Sequence, residues 1–279
     1  GNPQLVLRDY AQSIGFTKYG LITAGPLQGI AFDEAGNPFQ FQYGSNGRPA
    51  GNAAGSVIGC DFGFCQGGDV SGNVDSGRSI KSSIERMNSY ARLGWDFAPG
   101  NELYVTANIG QVRTQNQPIN GQNRPNLTIQ CENPFVPQLV RNQCAAAGIT
   151  NFRYGTSNAA LGSTQVQTDR RQYRFVLGAK GKTPVFGTDW SYDIYFEHGT
   201  NYSDIDVSNI HLSRRFNQAI DAISLNGTIV CRDPVARASG CQPLNIIGGN
   251  PSEAALRYVQ PENGPFQRTR QTQDVVSLN

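Results

Sequence analysis

The residues equipped for chemistry are few in this chain of 279 residues, and the cysteines stand out. The six of them fall into three local couples, Cys60/Cys65, Cys131/Cys144 and Cys231/Cys241. Each couple lies in a Gly/Pro/Asn-rich stretch and none in an alternating one. Six cysteines allow 15 connectivities, and loop-local disulfides are the simplest of these. Disulfides imply an oxidising place: periplasm, cell surface or secretion. Zinc is the rival use of the same thiols, but there is no C-x-x-C, and only His198 and His211 are available as partners. No metal and no cofactor is expected.

Other chemistry is sparse. There is no H-E-x-x-H, G-x-S-x-G, G-x-x-x-x-G-K-[ST] or G-x-G-x-x-G. With two histidines, both in or beside expected strands, a Ser/His/Asp site is disfavoured, and the reading is not an enzyme. Asp204 and Asp206 share a strand face and suit a cation, though carboxylates on a polar surface are the plainer account. Arg170/Arg171 and Arg214/Arg215 stand at strand–loop junctions, placed either to meet an anionic ligand or, the favoured reading, to solvate a rim. Asn126-Leu-Thr128 and Asn226-Gly-Thr228 match the glycosylation sequon. Phe62, Phe64, Phe135 and Tyr154 are loop aromatics that either stack on a ligand or pack their own loops. A net charge of +2 gives no reason to expect nucleic acid.

The elements that must position these residues are read from periodicity. In Arg86–Arg113, Met87, Ala91, Leu93, Trp95 and Phe97 hold one parity, against Arg86, Asn88, Arg92, Gly94 and Asp96 on the other. Ala98-Pro99-Gly100-Asn101 is a turn signal. The alternation then restarts with Leu103, Val105, Ala107 and Ile109. Period two on both sides of a short turn predicts an antiparallel hairpin, at about 84–114. A second hairpin, about 170–207, alternates Tyr173, Phe175, Leu177 and Ala179, turns between Gly181 and Thr188, and returns with Trp190, Tyr192, Ile194 and Phe196. A last strand starts near Gln267, and residues 3–14 carry a weaker strand signal. Arms of about a dozen residues exceed the usual strand of roughly five or six.

Between these lie loop-like segments, about 15–78, 115–168 and 209–265. They include three helical patches: Pro137 to Ala147 ending at Gly148; Phe216, Ala219, Ile220 and Ile223 at i, i+3, i+4, i+7; and SEAALRYV behind an Asn250 N-cap and Pro251. Charged residues at 16% fall below the roughly 25% of soluble domains. No apolar run approaches the roughly 18 residues of a membrane helix, which leaves a transmembrane barrel open. The chain opens GNPQLVLRDY with no signal peptide and ends VVSLN within a strand pattern, so an internal segment of a longer protein is expected.

Short turns on one side and long loops on the other predict an all-β fold, part of a large antiparallel transmembrane β-barrel with short periplasmic turns and long extracellular loops containing short helices. Trp95, Phe97, Trp190 and Tyr192 flank the short turns, as a rim girdle would. GLITAGPLQGIAFDEAGNPFQFQYG (Gly20 to Gly44), ENPFVP (Glu132 to Pro137), WSYDIYFEHG (Trp190 to Gly199), RRFNQAIDAI (Arg214 to Ile223) and GCQPLNIIGG (Gly240 to Gly249) resemble the barrel of TonB-dependent outer-membrane receptors. The resemblance implies a wall segment of an active transporter for a scarce ligand such as a ferric siderophore, cobalamin or a glycan. Its implied partners are outer-membrane lipid, the ligand (a metal chelate or glycan) and the TonB complex. It also implies a location in the bacterial outer membrane. No plug domain is legible, which departs from the family. The alternatives are a passive porin or adhesin barrel and a secreted soluble all-β glycan-binding module.

Overall fold

The structure, a computed structural model, describes residues 11–13, 15–45, 64–69, 79–118 and 124–279. The chain divides into two compact units. One comprises Gly1–Ser79, Gln117–Thr164 and Asn209–Gly264; the other comprises Ile80–Asn116, Gln165–Ser208 and Pro265–Asn279.

The first unit is made from the three segments read as loops, and they hold more order than their composition signals. One sheet orders β1 (Ala11–Ser13), β6 (Phe64–Gly68) and β5 (Tyr43–Ser45). Another runs β4 (Pro38–Gln40), β3 (Ile30–Phe32), β2 (Leu21–Ala24), β10 (Asn151–Thr156) and β9 (Arg124–Gln130). A hairpin joins β13 (Ala222–Leu225) to β14 (Thr228–Cys231). Among the described residues four α-helices complete the unit: α1 (Gln138–Ala146), α2 (Ser213–Ile220), α3 (Pro234–Ala238) and α4 (Glu253–Val259).

All three segments feed one core. Ile22 and Phe32, then Val136, Val140 and Tyr154, then Phe216, Leu244 and Val259 are buried together. Each such side chain contributes about 1.5–3 kcal/mol, so segments too polar to read as structure are held by a few well-placed apolar anchors. Directional bonds fix the arrangement. Asn133 Nδ2 donates to the Ile220 carbonyl at 2.8 Å, and the Tyr154 hydroxyl donates to the Ile246 carbonyl at 2.7 Å.

The helices agree with the sequence in place and differ in their ends. α1 stops at a left-handed Gly148, φ 65°, as its C′ glycine signals. α2 buries Phe216, Ala219 and Ile220 but ends before Ile223, which belongs to β13, where Ala222 and Ile223 pair with Cys231 and Val230. α4 is capped by Ser252, whose Oγ accepts from Ala255 N at 3.2 Å, and not by Asn250. The hydroxyl three residues ahead of that N–H outcompetes the Asn-Pro pair as an N-cap. α3, with Asp233 accepting from Val235 N and Pro234 at its first position, is a further capped helix the pattern did not flag.

The second unit is one open antiparallel sheet ordered β15 (Phe266–Leu278), β12 (Thr188–Ser208), β11 (Gln165–Val185), β8 (Asn101–Asn116) and β7 (Ser83–Ala98). Period-two alternation produces these strands directly. The first tight turn is Pro99-Gly100, with Gly100 at φ 73°. The second is shorter than expected. Strand pairing runs through Pro184↔Asp189 and Val185↔Thr188, leaving only Phe186 (φ 52°) and Gly187 (φ 78°) as the bend. Two consecutive positive φ values make the mirror-image turn whose twist suits a hairpin. Gly181 and Pro184, within the stretch expected to turn, lie inside the strand. Among the described residues no sheet closes on itself, with β7 and β15 at the edges of the large one. Among the described residues no helix is long and apolar enough to cross a membrane.

Candidate functional surface

The register of the long sheet sorts its side chains into rows that no single strand reveals. Leu93 lies opposite Val105, then Leu177, Phe196 and Val276 across all five strands. The adjacent row is Trp95, Leu103, Ala179, Ile194 and Leu278, and the one beyond Leu93 is Ala91, Ala107, Phe175, His198 and Asp274. These side chains are out in the open: Leu93 is 77% exposed, Val276 78% and Trp95 66%. Apolar residues on one sheet normally bury; a contiguous exposed face of this kind marks an interaction surface. Toward the tight turns the face ends in aromatics. Trp95 and Phe97 stand 6.3 Å apart, and Trp190 and Tyr192 continue the face on β12.

The opposite face is polar and internally paired. Arg92 meets Glu102 at 2.6 Å, with Lys180 at 3.4 Å from the same carboxylate. Arg174 grips Glu197 through two bonds of 2.7 and 2.6 Å. The Tyr104 hydroxyl donates to Asp193 at 3.1 Å, and its ring lies over Gly178, where any Cβ would collide with it. Exposed pairs of this kind add little stability each, about 0–1 kcal/mol, but they keep the face wet.

Farther from the turns the apolar face gives way to charge. Arg113 pairs with Asp169 at 3.3 Å, Arg171 with Asp204 at 2.7 Å, and Arg268 with Asp206 at 2.6 Å. Asp204 and Asp206 do share a face, as the alternation requires, but arginines occupy both, and no group of metal-ligating residues forms among the described residues. Arg170 and Arg171 separate: Arg171 joins this ladder, while Arg170 points to the polar face. Arg215 donates to the Tyr258 carbonyl at 3.2 Å.

The remaining candidates resolve one by one. Cys131–Cys144 and Cys231–Cys241 are disulfides. Cys65 is buried and disulfide-bonded, while Cys60 lies outside the described residues, as does Phe62. Phe64 opens β6, and Phe135 is half-buried with its N–H on Asn133 Oδ1. Tyr154 is a core residue, its hydroxyl pushed well above its usual pKa by burial and bonded to two carbonyls. Asn226-Gly227 forms the β13–β14 turn with φ 50° and 78°, which explains that Asn-Gly pair without glycosylation. Asn126 sits within β9. His198 Nδ1 lies 2.7 Å from Asp274 Oδ1 on the large sheet.

His211 is a site that residue spacing does not show. It is 7% exposed, stacked on Phe216 at 4.5 Å, and its Nε2 accepts from Arg124 Nη2 at 2.8 Å. Burial, aided by the Arg124 charge, pulls its pKa down to about 4. The arginine–carboxylate pairs of the sheet were missed as well, although the hairpin register, once fixed, names every partner. No protein family, curated protein or solved structure matches this chain.

Proposed function

We propose that the long sheet is a section of the wall of a TonB-dependent outer-membrane receptor, an active importer of a scarce ligand such as a ferric siderophore, cobalamin or a glycan. One observation carries the reading: a continuous row structure of exposed apolar side chains on one face, backed by a charged, internally paired face. On β7, β8 and β11 the apolar face runs from Phe97 to the Ser89/Ile109 row, about 26 Å along the strand at roughly 3.3 Å per residue, while on β12 and β15 His198 and Asp274 interrupt it one row earlier. At the roughly 40° tilt of membrane barrels that is about 20 Å along the normal, close to the usual lipid-facing band of about 25 Å. The strand lengths of 13 to 21 residues exceed what a soluble sheet needs. The loop phrases resembling those receptors supply the rest, including the TonB partner. On this reading the edges β7 and β15 pair with neighbouring wall strands, since unsatisfied backbone in lipid costs several kcal/mol per group.

The test is side-specific labelling in membranes. Single cysteines at Val105 and Leu177 should resist a water-soluble maleimide, while cysteines at Thr106 and Gln172 should react. Equal reaction at all four would remove the membrane reading and favour the soluble all-β module. Ligand uptake that survives collapse of the proton gradient would favour a passive porin.

A further inference from the structure

Where the apolar face meets the charged ladder there is a groove of about 480 Å³, lined by Arg171, Tyr173, Phe175, His198, Thr200 and Tyr202. These are three successive cross-strand pairs, Arg171↔Tyr202, Tyr173↔Thr200 and Phe175↔His198, so the groove runs along β11 and β12 from a cation to the Phe175 ring, with His198, 2.7 Å from Asp274 Oδ1, beside it. Its charged end is built from aromatic and guanidinium groups together. The Arg171 Cζ lies 5.9 Å and the Arg270 Cζ 5.5 Å from the Tyr202 ring centroid, and Tyr173 stands edge-on to that ring at 6.2 Å.

The cations there retain donor capacity. Asp204 takes one Nη of Arg171 at 2.7 Å, and the Arg171 Nε is buried, 3.8 Å from Asp169 Oδ1, so donor capacity toward a ligand is left to the Nη groups of a side chain that is 41% exposed. Arg270 is exposed and has no carboxylate within 4.0 Å among the described residues. The exposed Arg270, with the Nη groups of Arg171 beside the same tyrosine face, suits a phosphate, which guanidinium N–H donors bind well. At its other end the groove opens onto Phe175, one row from Leu177 and Phe196. Only a ligand with an anion at one end and hydrocarbon at the other satisfies both ends.

We infer that this groove binds the phosphate of an acylated membrane lipid, with the phosphate at Arg171 and Arg270 and an acyl chain along Phe175 toward Leu177. The inference rests on the membrane reading above and goes beyond it, because it assigns a lipid-headgroup site to named residues. A lipid phosphate, unlike inorganic phosphate, is held at the boundary by its chains, so each arginine contributes about the 1 kcal/mol of a basic residue at an anionic surface.

The experiment measures binding of phosphatidic acid to the full chain in neutral maltoside micelles, with inorganic phosphate as the soluble arm. Arg270→Gln, which breaks no ion pair seen among the described residues, should weaken phosphatidic acid binding about five-fold, and R171Q/R270Q about thirty-fold. R86Q/R170Q removes the same charge from the polar face and should leave binding unchanged. Wild-type affinity in R270Q and R171Q/R270Q, equal losses in the polar-face control, or competition by inorganic phosphate at the same concentration as the lipid would each overturn the site. The labelling test separates the two readings. If Val105 and Leu177 are protected in membranes and the arginine variants still bind normally, only the lipid-phosphate site fails; if they are labelled, the wall reading itself fails.

Discussion

At His211 the chemistry is set by its partner. An arginine can only donate, so Arg124 requires a lone pair on Nε2 and hence a neutral ring. Protonation would set two cations against each other beside Phe216 and remove the acceptor. The folded pKa of about 4 lies below the ordinary 6.5, so the unfolded chain binds more protons between those values. The sign follows: the histidine's contribution is fully present above about pH 6.5 and is lost as pH falls toward 4. Its ceiling is about 3 kcal/mol from the size of the shift. An NMR titration of the His211 ring should show a midpoint near 4. His211→Gln keeps an oxygen acceptor for Arg124 and should flatten the acid limb of the first unit's unfolding. A ring midpoint near 6.5 would mean the stacked, buried geometry is not maintained in solution.

Elements inherit their behaviour from which face a residue occupies. Leu93→Arg puts a charge at the β7 end of the exposed apolar row and should cost about 2–4 kcal/mol of stability in a bilayer. Asn201→Arg, on the polar face between Gln172 and Gln271, should stay within about 1 kcal/mol. Unfolding from lipid vesicles measures both, and equal costs would point to a sheet covered on both sides. In the first unit Gly20 is held at φ 113° with Tyr154 where its Cβ would go. Gly20→Ala therefore combines a strained backbone with displacement of a buried ring, and thermal unfolding should show a loss of about 3 kcal/mol. The contrast between the two units also shows what a sequence discloses. Both hairpins were legible because period two is a local signal, repeated over a dozen residues. β2, β3, β9 and β10 were not, because strands of 3 to 7 residues carry too few alternations, and the pairing that joins them into one sheet, β2 with β10, links different segments of the chain. The paired arginines of the sheet follow the same logic: Arg174 and Glu197 are neighbours only once the register is known.

For the whole molecule, the question is whether the two units share one stability, and the cysteines give a way to ask it. Every cysteine among the described residues belongs to the first unit. The bridges close short loops, Cys131 to Cys144 across 13 residues and Cys231 to Cys241 across 10. Loop-closure entropy assigns about 3 kcal/mol to each such bridge, a value that depends weakly on loop length. The second unit has no bridge among its described residues and is held by the backbone ladders of β7, β8, β11, β12 and β15. Reduction should therefore act on one unit alone. Non-reducing peptide mapping should first recover 131–144 and 231–241 as linked pairs. Adding reductant, which opens both bridges, should then accelerate exchange of the protected amides in α1, β10 and α2 by at least about 100-fold, the equivalent of one bridge. Amides in β11 and β12 should keep their protection. Loss of protection in both sets together would mean that the sheet and the disulfide-bonded core unfold as one cooperative body, and the units would no longer be separable folding entities.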